Sequence, residues 1–497
     1  MQPSTIRNIT ICVSVAWLVG AVYLIFIGFQ WRWPIALSCL IPALALLIVG
    51  GNRGRFLDKA LKKKMHNWSA LKSYSLRFPL FRFVDVHRAM VDFVDGTRVL
   101  VEIESQHGVD LDTVLTGTFF DESMRVMNTG QRDLFEVAPK ETEFLPLDLF
   151  RVLRKPDGSR PFLVRVRYVP DEGAAIVEYA CDSEELSQEL QEEFERRMLE
   201  NSIYRGRVCR ISFEDTYELY AGLSSRTALK FLTDARIAEG DIVLSEEIAG
   251  ILERNVLDVF RRSEQLREHG LPLRRGLLFY GPPGTGKTFT CRYLFGRLND
   301  VTCIVVAGTA SGRLAEVFSM ARSLMPCVIV LEDIDLWIPN REQAFDSTPL
   351  ANLLDELDGF QANDRMVCIL TTNAIERVES AIKDRPGRVG QCVHFGFPDE
   401  ELRLRYLKRQ SARFAHGDGV LEKVAGQTEG ATQAFLTELV TRAAQIALEL
   451  QESQESRSEN GSSPVLSHEA FETARKEMLM GANASARGIL GWRGDIL

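Results

Sequence analysis

Three features of the sequence predict an α/β protein built of several parts. Two apolar runs open the chain, alternating strand patterns fill the stretch before residue 225, and a glycine-rich loop follows an apolar strand near residue 281. We therefore predict an N-terminal transmembrane helical hairpin, a β-rich middle domain, an α/β domain around the glycine-rich loop, and a small helical domain after it. The predicted boundaries are 1–51 for the hairpin, 52–68 for a basic linker, 69–225 for the middle domain, 238–395 for the α/β domain, 396–480 for the helical domain and 481–497 for a tail.

The composition is that of an ordinary globular protein of 497 residues with a formal net charge of -9. Non-specific binding to nucleic acid needs a basic surface, so no nucleic-acid partner is expected. The nine cysteines are scattered singly, without a CxxC pair or a cluster at metal-ligand spacing. We expect them to be reduced thiols, mostly in the core.

The first fifty residues are predicted to enter a membrane. Ile9–Phe29 and Ile35–Val49 are uncharged apolar runs, each near the roughly 20 residues that an α-helix needs to cross a bilayer. A basic stretch from Arg53 to Lys64 follows the second run, whereas the turn holds only Arg32. The positive-inside rule then places the C-terminal part in the cytoplasm. This predicts a multi-pass membrane protein with membrane lipid as a partner, in a bacterial inner membrane or, alternatively, a mitochondrial one. A cleaved signal peptide and a re-entrant hairpin are the competing interpretations.

Residues 69–225 alternate strand-like pieces, such as TRVLVEIES and FLVRVRYV, with turn signals such as VDGT and KPDGS. A helix of mixed charge that begins at Ser183 interrupts them. No nucleophile or metal cluster stands out in this region. We assign it to binding of a substrate or partner.

The stretch GLLFYGPPGTGKT predicts phosphate chemistry. An apolar strand, Gly276–Tyr280, runs into a GxxxxGK[ST] loop, and a helical pattern follows. Glycines let backbone N–H groups approach phosphates, Lys287 is expected to reach the β- and γ-phosphates of ATP, and Thr288 is expected to ligate Mg²⁺. The predicted nucleotide-binding residues are Gly281, Pro282, Pro283, Gly284, Thr285, Gly286, Lys287 and Thr288.

The run VIVLEDID ends a second apolar strand in a cluster of acids. Glu332 is expected to hold Mg²⁺ together with Thr288, and Asp333 is expected to polarise the attacking water. In many nucleotide hydrolases the order is Asp then Glu. The two carboxyls have similar reference pKa values, so the inversion is expected to tune hydrolysis rather than abolish it.

Beyond these motifs, four stretches resemble the AAA ATPases over about residues 238–450. DIVLSEEIAGILERNVLDVF resembles the lead-in to the P-loop, and ILTTNAIE resembles the sensor-1 strand. DRPGRVGQCVHFGFPDEELR resembles the second region of homology, and QTEGATQAFLTELVTRAAQIAL resembles the helical lid. The resemblance implies a P-loop AAA α/β domain, a small helical lid and a homo-oligomeric ring of six or seven subunits.

The same resemblance implies roles for individual residues. Asn373 would lie near the γ-phosphate, and Arg385 and Arg388 would reach from one subunit into the nucleotide site of its neighbour. The other residues implied at the nucleotide are Ile242, Gly430 and Ala431.

Two features resemble the mitochondrial Rieske-protein translocase, an ATPase of respiratory complex III assembly. One is the Glu-Asp order, and the other is the short segment between the strand TCIVVAG and the helix RLAEVFSMAR. Peptide-threading AAA unfoldases place a longer segment there, with an aromatic residue that grips substrate. The predicted function is therefore a membrane-anchored, ring-forming ATPase that remodels, inserts or translocates a protein substrate.

Three alternatives stay open. The first is an ATP-switched membrane scaffold with little turnover, and the second is a peptide-threading unfoldase that is the partner of a protease. The third is a membrane-bound AAA protease, which needs HExxH on a helix. Gly270 follows His269, and His468 stands in SHEAF without a second histidine at that spacing, so the protease is disfavoured.

Overall fold

A computed structural model describes residues 63–65, 68–93, 97–104, 111–116, 130–155, 160–218, 222–306, 314–337, 353, 355–357, 359, 361–362, 364–378, 389–455, 464–480, 488 and 491–492. These residues fall into two compact units. The first holds the described chain up to Phe135 together with Glu143–Met198, and the second holds Glu136–Thr142 and the chain from Leu199 onward.

The first unit is built on strands, in agreement with its alternating sequence pattern. Its elements, with the hairpin strands β3 and β4 that the unit boundary divides, are β1 (Lys72–Pro79), α1 (Phe83–Phe93), β2 (Arg98–Glu104), α2 (Leu111–Thr116), β3 (Arg132–Ala138), β4 (Glu141–Pro146), β5 (Asp148–Arg154), β6 (Phe162–Val169), β7 (Ala174–Cys181) and α3 (Glu184–Glu200). Five of the strands form an antiparallel sheet in the order β1-β7-β6-β5-β2. Helix α3 begins where the sequence predicts, because the Ser183 hydroxyl accepts a hydrogen bond from Leu186 N.

The central strands of this sheet bury a charged group. The guanidinium of Arg165 on β6 is fully buried, and it donates to both carboxylate oxygens of Asp148 at 2.8 Å and to Glu178 at 3.1 Å. It also lies over the ring of Phe150, 4.3 Å from the ring centroid. Every charge in the cluster therefore has a partner, as burial in a low dielectric demands.

The second unit has a larger sheet and two groups of helices. Its elements are β8 (Val208–Glu218), β9 (Gly222–Phe231), α4 (Glu246–Leu252), α5 (Asp258–Arg261), α6 (Ser263–Glu268), β10 (Arg275–Tyr280), α7 (Lys287–Arg297), β11 (Thr302–Val306), α8 (Leu314–Ser323), β12 (Cys327–Leu331), β13 (Met366–Thr372), β14 (Gln391–His394), α9 (Glu400–Gln410), β15 (Ala415–His416), α10 (Val420–Gln427), α11 (Gln433–Glu455), β16 (Val465–Leu466) and α12 (His468–Leu479). A π-helical turn, Glu253–Leu257, joins α4 to α5.

The strand order of the large sheet is β14-β10-β13-β12-β11-β8-β9, and all neighbours are parallel except β8 and β9. Strands β11, β12 and β13 are buried along their whole length, as expected for a parallel sheet covered on both faces. Strand β13 lies between β10 and β12. The segments that leave the carboxyl ends of these three strands therefore meet at one edge of the sheet, where α/β proteins bind ligands.

Helices α9 to α12 form a separate apolar cluster after the sheet. Leu407, Leu421, Phe435 and Phe471 are each at most 2% exposed in this cluster. Trp492 joins it at 2% exposure, with its ring centroid 4.9 Å from that of Phe435. Packing of this aromatic is what we expect for a large apolar side chain that finds a partner surface.

The predicted membrane hairpin, residues 1–51, lies outside the described residues. Across the described ranges, every helix is too short or too polar to cross a membrane. The predicted fold class is corrected accordingly: the described elements form an α/β fold with a P-loop domain and include no transmembrane hairpin. The predicted multi-pass membrane location and the lipid partner are corrected on the same finding.

The part of the chain assigned to the middle domain divides between the two sheets. Strand β8 and the first residues of β9 lie inside the predicted range 69–225, yet β8 pairs with β11, and the two strands thereby extend the sheet of the second unit. The strand patterns of β8 and β9 do not differ in kind from those of β1 to β7. Register with β11, rather than local sequence, decides where they pair.

Candidate functional site

The glycine-rich loop connects β10 to α7 and folds tightly at two glycines. Gly284 and Gly286 have φ of +77° and +95°, a backbone conformation that favours glycine. Gly281 must also lack a side chain, because a Cβ there would stand 2.1 Å from Phe395 O. The loop therefore closes against the chain that follows β14 and leads directly into the N-terminus of α7, a favourable place for phosphate.

Lys287 begins α7 and is 6% exposed. Its Nζ donates to Gly281 O at 2.8 Å and to Pro282 O at 2.9 Å, so the ammonium lies inside the phosphate loop. Burial lowers the pKa of Lys287 to about 8, and the negative charges of Asp333 and Asp335 oppose this shift. A phosphate that approaches the ammonium would favour its charged form.

Glu332 follows β12 directly and lies beside the first turn of α7. Its carboxylate accepts a hydrogen bond from the Thr288 hydroxyl, and one oxygen is 3.8 Å from the Arg210 guanidinium. Burial raises the pKa of Glu332; Arg210 and the Thr288 hydrogen bond oppose the shift, whereas the charge of Asp333 adds to it. A hydroxyl and a carboxylate oxygen at one point are ligands that Mg²⁺ prefers. The residues present therefore fit the predicted metal.

Asp333 has an unusual backbone, with φ of +50°. Asn373 Nδ2 donates to its Oδ1 at 3.0 Å, and its own N–H donates to the Thr371 hydroxyl at 3.0 Å. Among residues other than glycine, Asp and Asn enter this left-handed region most readily. The backbone at position 333 thus gives a physical reason for Asp, rather than Glu, as the second acid.

A third acid, Asp335, links the two strand ends. Its Oδ1 accepts hydrogen bonds from Thr372 Oγ1 at 2.8 Å and from Asn373 N at 3.1 Å, and the residue is 6% exposed. Asp335 therefore holds the backbone of Asn373, whose side chain in turn holds Asp333. Sequence reasoning gave no role to Asp335, although its position within LEDID made it visible. It also gave none to Arg210, for which the sequence carries no signal.

One cavity of about 1090 Å³ brings most of the predicted residues together. Its lining includes Pro283 to Thr288, Asp333, Asn373 and Ile242, as well as Gln433 and Ala434 of the helical domain. Gly430 and Ala431 precede these two residues and do not line the cavity. Arg385 and Arg388 lie outside the described residues.

The site combines a phosphate loop that holds a buried lysine, paired acids at the end of strand β12 and a helical domain over the same cavity. Together these features define a P-loop nucleotide hydrolase. Residues 277–397 also match the family described as ATPase family associated with various cellular activities (AAA). The second unit therefore contains an AAA ATPase domain, which binds ATP with Mg²⁺ and hydrolyses ATP, as the sequence predicted.

Curated relatives match about two fifths of the chain. ATP-dependent zinc metalloprotease FtsH 2 of Thermoanaerobacter sp. (strain X514) is 31% identical over 221 residues, which cover 41% of this chain and 43% of that protein. 26S proteasome regulatory subunit 8 homolog B of Arabidopsis thaliana is 32% identical over 222 residues, or 41% of this chain and 52% of that protein. ATPase family gene 2 protein of Saccharomyces cerevisiae is 29% identical over 232 residues, which cover 44% of this chain and 30% of that protein. The chain spans about half or less of the length of these relatives.

Proposed function

We propose that this protein is a ring-forming AAA ATPase that uses ATP hydrolysis to remodel or translocate a protein substrate, in the manner of the Rieske-protein translocase subgroup. The main support is the network at the sheet edge, in which Asn373 holds Asp333 within the cavity that Lys287 also lines. This arrangement supports the proposal that Asp333 orients water beside the phosphate loop. It supports turnover rather than ATP binding alone.

The chemistry follows from the positions of these side chains. Lys287 and the loop N–H groups would bind the phosphates, and Thr288 and Glu332 would hold Mg²⁺, which would supply positive charge beside the phosphates. Asp333 accepts a hydrogen bond from the attacking water and thereby directs the oxygen of that water at the γ-phosphorus. Asn373 keeps that carboxylate in place.

The proposal that the ATPase acts on a folded protein is supported by the matched relatives and by one short segment of the sequence. The matched relatives include a metalloprotease and a proteasome regulatory subunit, whose names place them with protein substrates. The segment between β11 and α8, residues 307–313, reads AGTASGR and has no aromatic residue to grip an unfolded peptide. We therefore propose a substrate that is moved or remodelled as a folded body.

The ring is tested by mixing two inactive variants. Asp333→Asn is expected to keep ATP bound while turnover falls by about 10²–10⁴-fold, a typical general-base effect. Arg388→Ala is expected to lose turnover because it removes the proposed contribution to the neighbour's site. A mixed ring can pair an intact Asp333 with an intact Arg388, so mixing should restore hydrolysis. Arg405→Ala, which changes an exposed arginine on α9, is the matched control and should hydrolyse as the wild type does.

Pull-down of differently tagged subunits shows whether mixed rings form. If they form and never recover hydrolysis, a trans-acting arginine is contradicted.

The substrate is tested separately, by capture of client proteins. Asp333→Asn holds ATP and should retain client proteins, whereas Lys287→Ala cannot bind ATP and serves as the background. If mass spectrometry finds the same proteins on both variants, the remodelling proposal fails even where the ring proposal stands.

A further inference from the structure

The turn at Gly491–Trp492 lies against the part of the helical domain that faces the phosphate loop. Trp492 is 2% exposed, packs against Phe435 with the two rings tilted by 49°, and forms an isolated antiparallel bridge with Ala431. Ala431 directly precedes the residues that begin α11. The turn therefore touches the segment that leads into the nucleotide cavity.

Thr432 stands between this turn and the phosphate loop. Its N–H donates to Gly491 O at 2.9 Å, and a Cβ built on Gly491 would stand 2.2 Å from its Oγ1. From the other side, a Cβ built on Gly284 would stand 3.1 Å from the same oxygen. Both glycines have a positive φ, +80° and +77°. The backbone at Gly491 and the backbone at Gly284 thus both approach the buried hydroxyl of Thr432 closely.

The first turn of α11 continues this connection to the loop. Phe435 N donates to Thr432 Oγ1 at 3.3 Å, so Thr432 caps the helix. Ala434 N donates to Gly284 O at 3.1 Å, and Ala434 lines the cavity. A displacement of Thr432 would move Ala434 away from the phosphate loop.

We propose that Gly491 and Trp492 are positioning residues of the nucleotide site: their turn holds Thr432, and with it the first turn of α11, against Gly284. The proposal depends on ATP binding by the phosphate loop and on neither ring assembly nor a protein substrate. A turn that only covered the apolar cluster would affect the stability of the helical domain and leave ATP affinity unchanged. The two roles therefore differ in a measurable quantity.

Gly491→Ala is the direct test, and Gly488→Ala is its matched control. A Cβ at Gly491 collides with Thr432, whereas a Cβ at Gly488 meets no atom within 4 Å. We expect Gly491→Ala to weaken binding of a fluorescent ATP analogue about five-fold, the equivalent of one ordinary hydrogen bond. We expect kcat at saturating ATP to stay within about two-fold, because Asp333 and Asn373 are untouched. Gly488→Ala should match the wild type in both measurements.

Trp492 gives a second pair of variants and its own signal. Trp492→Ala removes the ring that packs on Phe435 and should weaken ATP binding as Gly491→Ala does, while Trp492→Phe keeps a ring and should recover most of the affinity. In the wild type, an ATP titration should change tryptophan emission, and Trp492→Phe should lose that change. These measurements stand even if Gly491→Ala fails to fold.

Equal ATP affinity in Gly491→Ala and Gly488→Ala would overturn the proposal, even if Gly491→Ala melts at a lower temperature. An ATP-dependent emission change of the same size in the wild type and in Trp492→Phe would also overturn it. Weaker binding in both the Gly491 and Trp492→Ala variants, with rescue by phenylalanine, is the result we expect.

Discussion

Replacement of Asp335 by alanine should separate ATP binding from ATP hydrolysis. Asp335 touches neither the phosphate loop nor, by hydrogen bond, Asp333 itself. It accepts hydrogen bonds from Thr372 and from the backbone of Asn373, and Asn373 then donates to Asp333. The substitution therefore acts on the water-orienting carboxylate through one intermediate residue.

The magnitude follows from the two hydrogen bonds that are lost. A buried donor left without an acceptor costs about 1–3 kcal/mol, so loss of the acceptor of the buried Thr372 hydroxyl should lower the free energy of unfolding by about that amount, whereas the N–H of the exposed Asn373 can turn to water and adds less. Release of the Asn373 backbone also lets its amide leave a position 3.0 Å from Asp333. A misplacement of about 1 Å near the reacting atoms can lower turnover about 100-fold. ATP affinity should change by less than about three-fold, because the phosphate loop and its lysine remain.

The assay compares equilibrium binding of ATP with single-turnover hydrolysis on the same preparation. The charge of Asp335 is one of two that oppose the fall of the pKa of Lys287, so its removal would lower that pKa further. The assay should therefore be run near pH 6.5, where Lys287 stays protonated in both proteins. Thr372→Ser keeps the hydroxyl and should remain active, whereas Thr372→Val removes it and should lose part of the turnover. A wild-type kcat in folded Asp335→Ala would refute the positioning chain.

Three further predictions concern the phosphate loop, the packing of α7 and the buried charges. Lys287→Ala should abolish ATP binding, and wild-type affinity should fall as the pH rises above about 8, because the buried ammonium then loses its proton; calorimetric titrations at several pH values measure both. Gly296→Ala should lower the melting temperature, because its Cβ would stand 2.2 Å from Ile237 O and overpacking costs about 1–3 kcal/mol. Arg165→Met should cost about 3–5 kcal/mol in denaturant unfolding, because it removes the buried cation paired with Asp148 and leaves Glu178 with Arg167 alone, at 3.6 Å.

Each of these predictions has a clear contrary result. Wild-type nucleotide affinity in Lys287→Ala would contradict the phosphate-loop assignment, and an affinity independent of pH between 7 and 10 would contradict the shifted lysine. Gly240→Ala, whose Cβ meets no atom within 4 Å, is the control for Gly296→Ala, and equal melting temperatures would contradict the close approach. Unchanged stability in Arg165→Met would contradict a stabilising role for the buried pairing of Arg165 with the two carboxylates.

Much of the nucleotide site was predictable from the sequence. The GxxxxGK[ST] pattern specifies its own geometry, because glycines, lysine and a hydroxyl at that spacing have one arrangement between a strand and a helix. Glu332 and Asp333 were predictable because a buried strand that ends in acids must expose them at the sheet edge. The structure places Lys287 and Asp333 on one cavity, as these patterns indicated, and Asn373, implied by the resemblance to the sensor-1 strand, lines the same cavity.

Other features depend on contacts between distant parts of the chain. The role of Asp335 needs β13 beside β12, and the left-handed backbone of Asp333 has no sequence signal beyond the residue itself. The contact of Thr432 with Gly491 joins positions 59 residues apart, and nothing in either local pattern indicates it. Gly430 and Ala431 are predicted at the nucleotide by resemblance alone, and the cavity is lined instead by Gln433 and Ala434 from the first turn of α11.

The sequence by itself determined the chemistry: a phosphate loop, the acids after strand β12 and a helical lid, because each of these is specified by residues close together in the chain. Only the tertiary structure decided which strands extend the sheet, which residues hold Asn373 and Asp333, and what packs behind the lid. These outcomes depend on register, burial and hydrogen bonds between residues far apart in sequence. Such contacts form only when the whole unit folds, so no local pattern could encode them.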